Sequence, residues 1–261
     1  MADPVRCEAE DGVLLVTLDR PKANAIDVAT SHALYDAFTE LERDPALRVG
    51  VLTGAGERFF SAGWDLKAAE SGEAVDADHG PGGFGGLTEM FDRSKPVIAA
   101  VNGLALGGGF ELALAADLVV ACENAELALP EVSLGLAADS GGLLRLPRRL
   151  PRAIAMDLLL TGRRMGAAEA GRWGLVNRVV PRAQLMTEAR ALAHAVAANA
   201  PLAVAAVREV VTATEQLSVE EGFALLRGGQ LCSYRRMLGS ADAQEGVRAF
   251  AERRPPSWQA R

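Results

Sequence analysis

Apolar and polar residues alternate from the start of the chain. Residues 5–10 alternate with a period of two, residues 13–19 are mostly apolar, and Asp11-Gly12 lies between them, which predicts a β-hairpin. Arg20 to Ala25 breaks the pattern. Leu34, Phe38 and Leu41 then recur at helical spacing, predicting a helix that starts near Asp27 or Thr30 and stops at Arg43, before Pro45. Residues 48–53 form a short apolar strand, closed by Gly54-Ala55-Gly56. Residues 58–69 read as a loop entering a short helix near Asp65. Residues 71–86 are rich in Gly, Asp and Glu, which predicts a mobile surface loop, and 87–93 a short helix.

The most informative pattern runs from Lys95 to Asp117. An apolar strand (96–101) meets a turn at Asn102-Gly103, then three glycines, Gly107 to Gly109, then a helix carrying Glu111. Residues 118–121 and 126–129 read as strands joined by a turn at 123–125, and Pro130-Glu131 ends the second. Short helices follow, broken at Pro147 and Pro151. Residues 154–160 and 167–173 are helical in pattern, and 176–180 forms one more strand. From 183 onward the pattern is helical, interrupted at Pro201, Ser218 and Ser240. Strands alternating with helices, then helices alone, predict an α/β core with a helical C-terminal segment. No linker splits the chain, and no repeat is clear.

Composition narrows the possible functions. The chain has 261 residues, 49% of them apolar, enough for a sizeable core. A net charge of −7 argues against broad binding to nucleic acid or an anionic membrane. Cys7, Cys122 and Cys232 are scattered and form no metal or disulfide pattern. There is no signal-like N-terminus and no apolar run long enough to span a bilayer, so a cytoplasmic protein is expected. Gly80, Gly82 and Gly85 match GxGxxG, but no strand precedes them, so a dinucleotide site is not expected. His32, His79 and His194 are scattered, and no metal site is expected. Arg145, Arg148, Arg149 and Arg152 are expected to line a solvated helical face.

Candidate chemistry centres on the three glycines. The first N–H groups of a helix lack partners and carry positive potential, and glycines let another molecule approach them closely. Glu111 follows Gly108 by three residues, so its carboxylate leans back over those amides. A free amide beside a carboxylate suits enolate chemistry; a buried turn with a capping or solvated Glu explains the same residues. Glu131, at a strand end, is either a second carboxylate facing a shared cleft or a surface loop residue. Trp64 precedes Asp65, a candidate N-cap. Its N–H is a candidate second oxyanion donor, and its ring is equally explained by core packing.

Four segments now combine: FFSAGWDLK, KPVIAAVNGLALGGGFELALAAD, ALPEVSLG and TGRRMGAAEAGRWGLVNRVV. Together and in order they resemble the enoyl-CoA hydratase/isomerase family, the crotonase superfamily, over essentially the whole chain. The resemblance implies a crotonase-like spiral of ββα turns over residues 1–195 and a helical C-terminal segment, 196–261, that builds homotrimers or hexamers. It implies an acyl-CoA substrate, with coenzyme A part of that substrate and no separate cofactor, and reversible hydration and dehydration of an enoyl-CoA thioester. Carried onto this chain, the oxyanion donors are Trp64 and Gly108 and the catalytic glutamates are Glu111 and Glu131. Coenzyme A is expected near Lys22, Ala23, Ala25, Ala62, Asp65 and Leu66, with Phe250 and Arg253 reaching a neighbouring subunit's coenzyme. Ordinary short-chain hydratases tend to have Pro-Gly where this chain has Ala138-Asp139. SAGWDLKAA, GPGGFGGLTE and DSGGLLRLP look instead like a branch whose acyl group carries a trimethylammonium. An aromatic face plus a carboxylate would hold such a cation; Trp64, Asp139 and Phe84 are the acyl-pocket candidates. For Trp64 and Asp139, simple packing and helix capping remain the alternatives.

Overall fold

The structure, a computed structural model, describes residues 3–261. The hairpin is present: β1 (Val5–Glu10) pairs antiparallel with β2 (Val13–Leu18). Asp27 begins α1 (Val28–Arg43) by accepting a hydrogen bond from the Thr30 N–H, an N-cap that satisfies one of the free amides. The helix buries Leu34, Phe38 and Leu41, as their spacing predicts.

The chain then winds in ββα turns. β3 (Val49–Gly54) leads through β4 (Phe59–Ser61) to α2 (Leu66–Glu70). β5 (Val97–Val101) leads through β6 (Leu104–Leu106) to α3 (Gly108–Ala115). β7 (Leu118–Cys122) leads through β8 (Glu126–Ala128) to a 3-10 turn at Pro130–Leu134. Helices α4 (Gly142–Arg149) and α5 (Arg152–Thr161), strand β9 (Met165–Gly166), helix α6 (Ala167–Arg172) and strand β10 (Arg178–Val180) follow. Each turn gives its first strand to a six-stranded sheet, order β1-β2-β3-β5-β7-β10. It gives its second to a four-stranded sheet, order β4-β6-β8-β9. Pairing between successive turns is parallel, with Val51 beside Ile98 and Ala99 beside Val119. Every residue of β3 and β5 is buried, as a parallel strand covered on both faces requires. α7 (Leu185–Ala197) covers this sheet and turns Leu185, Ala189 and Ala193 inward at four-residue spacing.

Beyond α7 come α8 (Pro201–Thr214), α9 (Val219–Gly228), α10 (Cys232–Leu238) and α11 (Ala241–Glu252). Ser218 and Ser240 cap α9 and α11, so the breaks predicted there are helix starts. Gly229, in the left-handed conformation, adds a break that the sequence pattern did not signal. Among the described residues no single helix is long and apolar enough to cross a membrane.

Several expectations are corrected. The predicted helix over 87–93 is a run of irregular turns. The segment 82–86, expected in a mobile surface loop, is buried, as are Leu87 and Thr88 after it. Its glycines pack so tightly that a Cβ on Gly86 would lie 2.2 Å from the Tyr35 nitrogen of α1, and one on Gly85 3.0 Å from Leu112 of α3. Pro147 sits inside α4 rather than breaking it. The expected solvated arginine face holds for Arg148, Arg149 and Arg152, which are exposed, although Arg149 also reaches the Ala116 carbonyl; Arg145 departs from it, being half-buried and donating to the Thr88 carbonyl.

An ion-pair cluster locks the turn that carries the glycines. Asp117, just past α3, accepts from the Val97 N–H at the start of β5 and pairs with buried Arg93 and with Arg208 of α8. Burial pushes the Asp117 carboxyl up, but the two guanidinium groups outweigh it and hold it below its usual range. Replacing Arg93 with Met should therefore cost about 2 kcal/mol in urea denaturation, less than the ~3–5 of a fully orphaned buried charge because Arg208 remains. Unchanged stability would show that the cluster does not hold β5 to α3.

Candidate active site

The site is built where two turns of the spiral touch. α3 has no side-chain cap; Gly107, at φ 54°, occupies the N-cap position and Gly108 and Gly109 open the helix. The loop after β4 lies against this helix end. A Cβ on Gly63 would be 2.6 Å from the Leu106 carbonyl oxygen and 2.8 Å from the Gly108 nitrogen. One on Gly109 would be 2.4 Å from the Ser61 carbonyl oxygen. Only glycine permits this approach, and Gly63 also needs its φ of 82°. The consequence is that the Trp64 and Gly108 N–H groups sit on adjoining backbones. Neither donates a hydrogen bond within the described residues. They are the pair of donors anticipated for an oxyanion.

Glu111, on the first turn of α3, is only 3% exposed. Its Oε1 accepts from the Gly142 N–H at 2.8 Å, where α4 begins. Burial drives its carboxyl up to about 8 against the pull of that hydrogen bond, with Glu131 and Asp139 adding negative charge nearby. Glu131 stands in the 3-10 turn after β8. One of its oxygens, Oε1, lies over Gly107, where a Cβ would come within 2.7 Å of it. The other, Oε2, is buried with no hydrogen-bond partner. Burial raises this carboxyl too, and Asp139 adds to the rise. A buried carboxylate oxygen without a partner is costly, and it is the kind of group that a bound substrate would satisfy.

Trp64, Gly108, Glu111 and Glu131 line one cavity of ≈ 340 Å³. Phe84 and Asp139 line it as well. The Phe84 ring covers Gly108 so closely that a Cβ there would lie 2.4 Å away. Asp139 does not cap α4: Gly141 holds that position without a side-chain bond. The Trp64 ring is only partly buried, and its Nε1–H donates to Glu73 Oε1 at 2.7 Å. Sequence reasoning missed Asp76, Asp78, His79 and Glu89, which complete the wall. The acid-rich composition of 71–86 was the only signal for Asp76 and Asp78, and nothing in the pattern marked Glu89. No lysine or arginine lines this cavity.

The expected coenzyme positions fall on a strip leading away from the donors. Ala62 N–H donates to the Ala23 carbonyl and Ile26 N–H to the Gly63 carbonyl, so segments 23–26 and 62–65 run side by side. Ala25 and Lys22 adjoin this strip, Lys22 and Leu66 being exposed. Asp65 caps α2 through the Lys67 N–H and pairs with Arg20, which also holds Asp27. Phe250 on α11 is 88% exposed, and Arg253 ends that helix in the left-handed conformation. Among the described residues no cluster of His, Cys, Asp or Glu suits a metal ion.

A spiral of ββα turns, with two free N–H groups facing two raised carboxyls, defines a crotonase-type enzyme. Residues 8–261 match the model of the enoyl-CoA hydratase/isomerase family. The chain belongs to that family. It is 59% identical over 261 residues to a carnitinyl-CoA dehydratase of Proteus mirabilis, with all of both chains covered. It is similar in structure to an enoyl-CoA hydratase from Mycobacterium tuberculosis H37Rv (45% identity, TM-score 0.90, 99% of each chain). It is also similar to a carnitinyl-CoA hydratase from Mycobacterium avium (44% identity, TM-score 0.78, 100% of each chain).

The Glu111 carboxyl makes a thermodynamic demand. In the fold it keeps its proton up to about pH 8, whereas its ordinary value is 4.5. Between those values the native state binds one proton more than the unfolded state, so the stability this group allows falls as pH rises. Glu111→Gln keeps an acceptor for Gly142 and removes that loss. The unfolding free-energy advantage of the variant over wild type should grow from pH 5 to about pH 8, by calorimetry, to the order of a few kcal/mol, with Tm rising in step. A gap that stays constant with pH would contradict the buried-proton assignment.

Proposed function

We propose that this chain is a hydro-lyase that interconverts carnitinyl-CoA and crotonobetainyl-CoA by reversible syn elimination and addition of water. The observation that carries the mechanism is the pairing of a buried carboxyl, Glu111, and a half-buried one, Glu131, with two free N–H donors around one cavity. In dehydration, Glu131 removes the α-proton of the 3-hydroxyacyl thioester; its unpartnered oxygen is the base. The Trp64 and Gly108 N–H groups stabilise the enolate oxygen. Glu111, protonated because it is buried, delivers its proton to the departing hydroxyl. In hydration the roles reverse: Glu111 activates water and Glu131 protonates the α-carbon. The pair carries one proton in either direction.

The choice of a cationic acyl group is supported by the wall chemistry. Asp76, Asp78, Glu89 and Asp139 line the cavity, His79 is the one basic type among its described lining residues, and the Trp64 and Phe84 rings supply aromatic surface. The likeness to carnitinyl-CoA dehydratases over the full chain points the same way. The second reading is a general enoyl-CoA hydratase, favoured by the likeness to the mycobacterial enzyme. A non-catalytic acyl-CoA-binding protein has no use for two proton-raised carboxyls. Coenzyme A is assigned to the strip of Lys22, Ala23, Ala25, Ala62, Asp65 and Leu66, and no cofactor enters the mechanism. Self-association as a trimer or hexamer through the C-terminal helices accounts for exposed Val207, Val211, Phe223 and Phe250.

Glu111→Ala and Glu131→Ala should each lower kcat for hydration of crotonobetainyl-CoA by at least about 10³-fold, since each removes a general acid or base from a coupled pair. Near-normal turnover in both would sink the mechanism. Wild-type enzyme should turn over crotonobetainyl-CoA with a kcat/KM above that for crotonyl-CoA; the reverse order would favour the general hydratase. For dehydration of carnitinyl-CoA, kcat/KM should decline above about pH 8 as Glu111 loses its proton. A rate that keeps rising through pH 9 would contradict Glu111 as the acid.

A further inference from the structure

Glu73 lies in the exposed loop after α2 and belongs to none of the groups assigned above. Its backbone N–H closes α2 on the Ala68 carbonyl at 2.9 Å. Its carboxylate then reaches two donors on different elements. Oε1 accepts from the Trp64 indole N–H at 2.7 Å, and Oε2 accepts from the Val28 N–H, the first residue of α1, at 3.1 Å. Both oxygens are therefore occupied by fixed donors. The second of these is a free amide at a helix start, where a negative charge is favoured. Among the described residues no arginine or lysine forms a hydrogen bond with Glu73, and the basic group that feels its charge is the His79 imidazole in the same loop.

The residues around it are less constrained. Ala74, Val75 and Asp76 are exposed, Val75 by 59%. Val75 to Gly80 nonetheless form one side of the acyl cavity. Glu73 is thus the point at which that wall is tied to Trp64, and one of two ties to α1, the other being the Ser31–His79 hydrogen bond. An indole that donates its N–H to an anion is polarised: electron density moves from the N–H edge into the ring. The ring face becomes a better partner for a cation, and its orientation is fixed.

We propose that Glu73 is a specificity-determining positioning residue, which holds and polarises the Trp64 ring so that its face receives a quaternary-ammonium acyl group. Glu73 touches no reacting atom and acts through Trp64. The inference rests on the cationic-acyl reading given above, and the test separates the two.

The measurement is kcat/KM for crotonobetainyl-CoA and for crotonyl-CoA, each in wild type, Glu73→Gln, Trp64→Phe and the double variant, with Tm recorded for all four. Wild type alone tests the substrate reading through the ratio of the two substrates. Glu73→Gln keeps an acceptor for the indole and loses the charge. It should lower that ratio about tenfold, and in the Trp64→Phe background, where no indole N–H exists, it should change the ratio by less than twofold. Glu73→Gln with an unchanged ratio overturns the proposal whatever the wild-type preference is. So does an equal effect of Glu73→Gln with and without the indole. A drop in Tm with both substrates reduced equally leaves the ratio unchanged and counts against it in the same way, as a purely structural role.

Discussion

Glu111 is a carboxyl group almost wholly withdrawn from water and given a single backbone N–H as partner. Burial of this kind makes ionisation expensive, so the group holds its proton at neutral pH. Much of the surrounding structure serves that one condition. α3 starts on glycines so that its first turn can face a cavity. α4 starts on Gly142, whose N–H fixes the carboxyl in place. A Cβ on Gly142 would press within 3.0 Å of Glu111 Oε1. Glu131 is brought up from the next turn of the spiral, with one oxygen over Gly107 and one left without a partner. The protein tolerates an uncomfortable proton on one carboxyl and an unsatisfied oxygen on another. Such local costs are common where a site must be ready before its substrate arrives.

The oxyanion donors depend on a different economy, that of volume. Gly63 and Gly109 allow two stretches of backbone to meet where any side chain would collide, and Gly108 leaves room for the Phe84 ring. The spiral makes the meeting possible, because β4 and β6 are parallel neighbours in the smaller sheet and feed the two stretches into register. The Arg93–Asp117–Arg208 cluster then ties the far end of α3 to the start of β5 and to α8. Electrostatics at one end of α3 and close packing at the other hold the helix N-terminus to the tolerance that catalysis requires.

The long, strongly patterned elements were legible in the sequence. The hairpin, α1 with its start near Asp27, the apolar strand 96–101 and the breaks at Ser218 and Ser240 were readable from the residue pattern; that the two serines are caps came from the fold. Family resemblance, more than spacing, supplied Trp64 and Glu131, since a lone tryptophan and a lone glutamate each have a plainer explanation. The failures have physical causes. β4 and β6 are three residues long, too short to display a period. Residues 82–86 have the composition of a solvated loop, yet their glycines are used for close contact with Tyr35 and Leu112, and composition cannot distinguish the two uses. Arg145 and Arg149 reach carbonyls on other elements, a tertiary fact that no local pattern records. The anchoring bonds of Glu73 to Trp64 and Val28 likewise arise only from the fold.

The central claim is that one proton resides on the Glu111–Glu131 pair at neutral pH, held chiefly by Glu111. Isotope-edited infrared titration of the glutamate carboxyls tests it most directly. If the claim holds, a protonated-carboxyl band persists through pH 7, disappears near pH 8, and is absent from Glu111→Gln. If every glutamate carboxyl is instead ionised above about pH 6, as ordinary carboxylates are, Glu111 is not the acid and the division of roles is wrong.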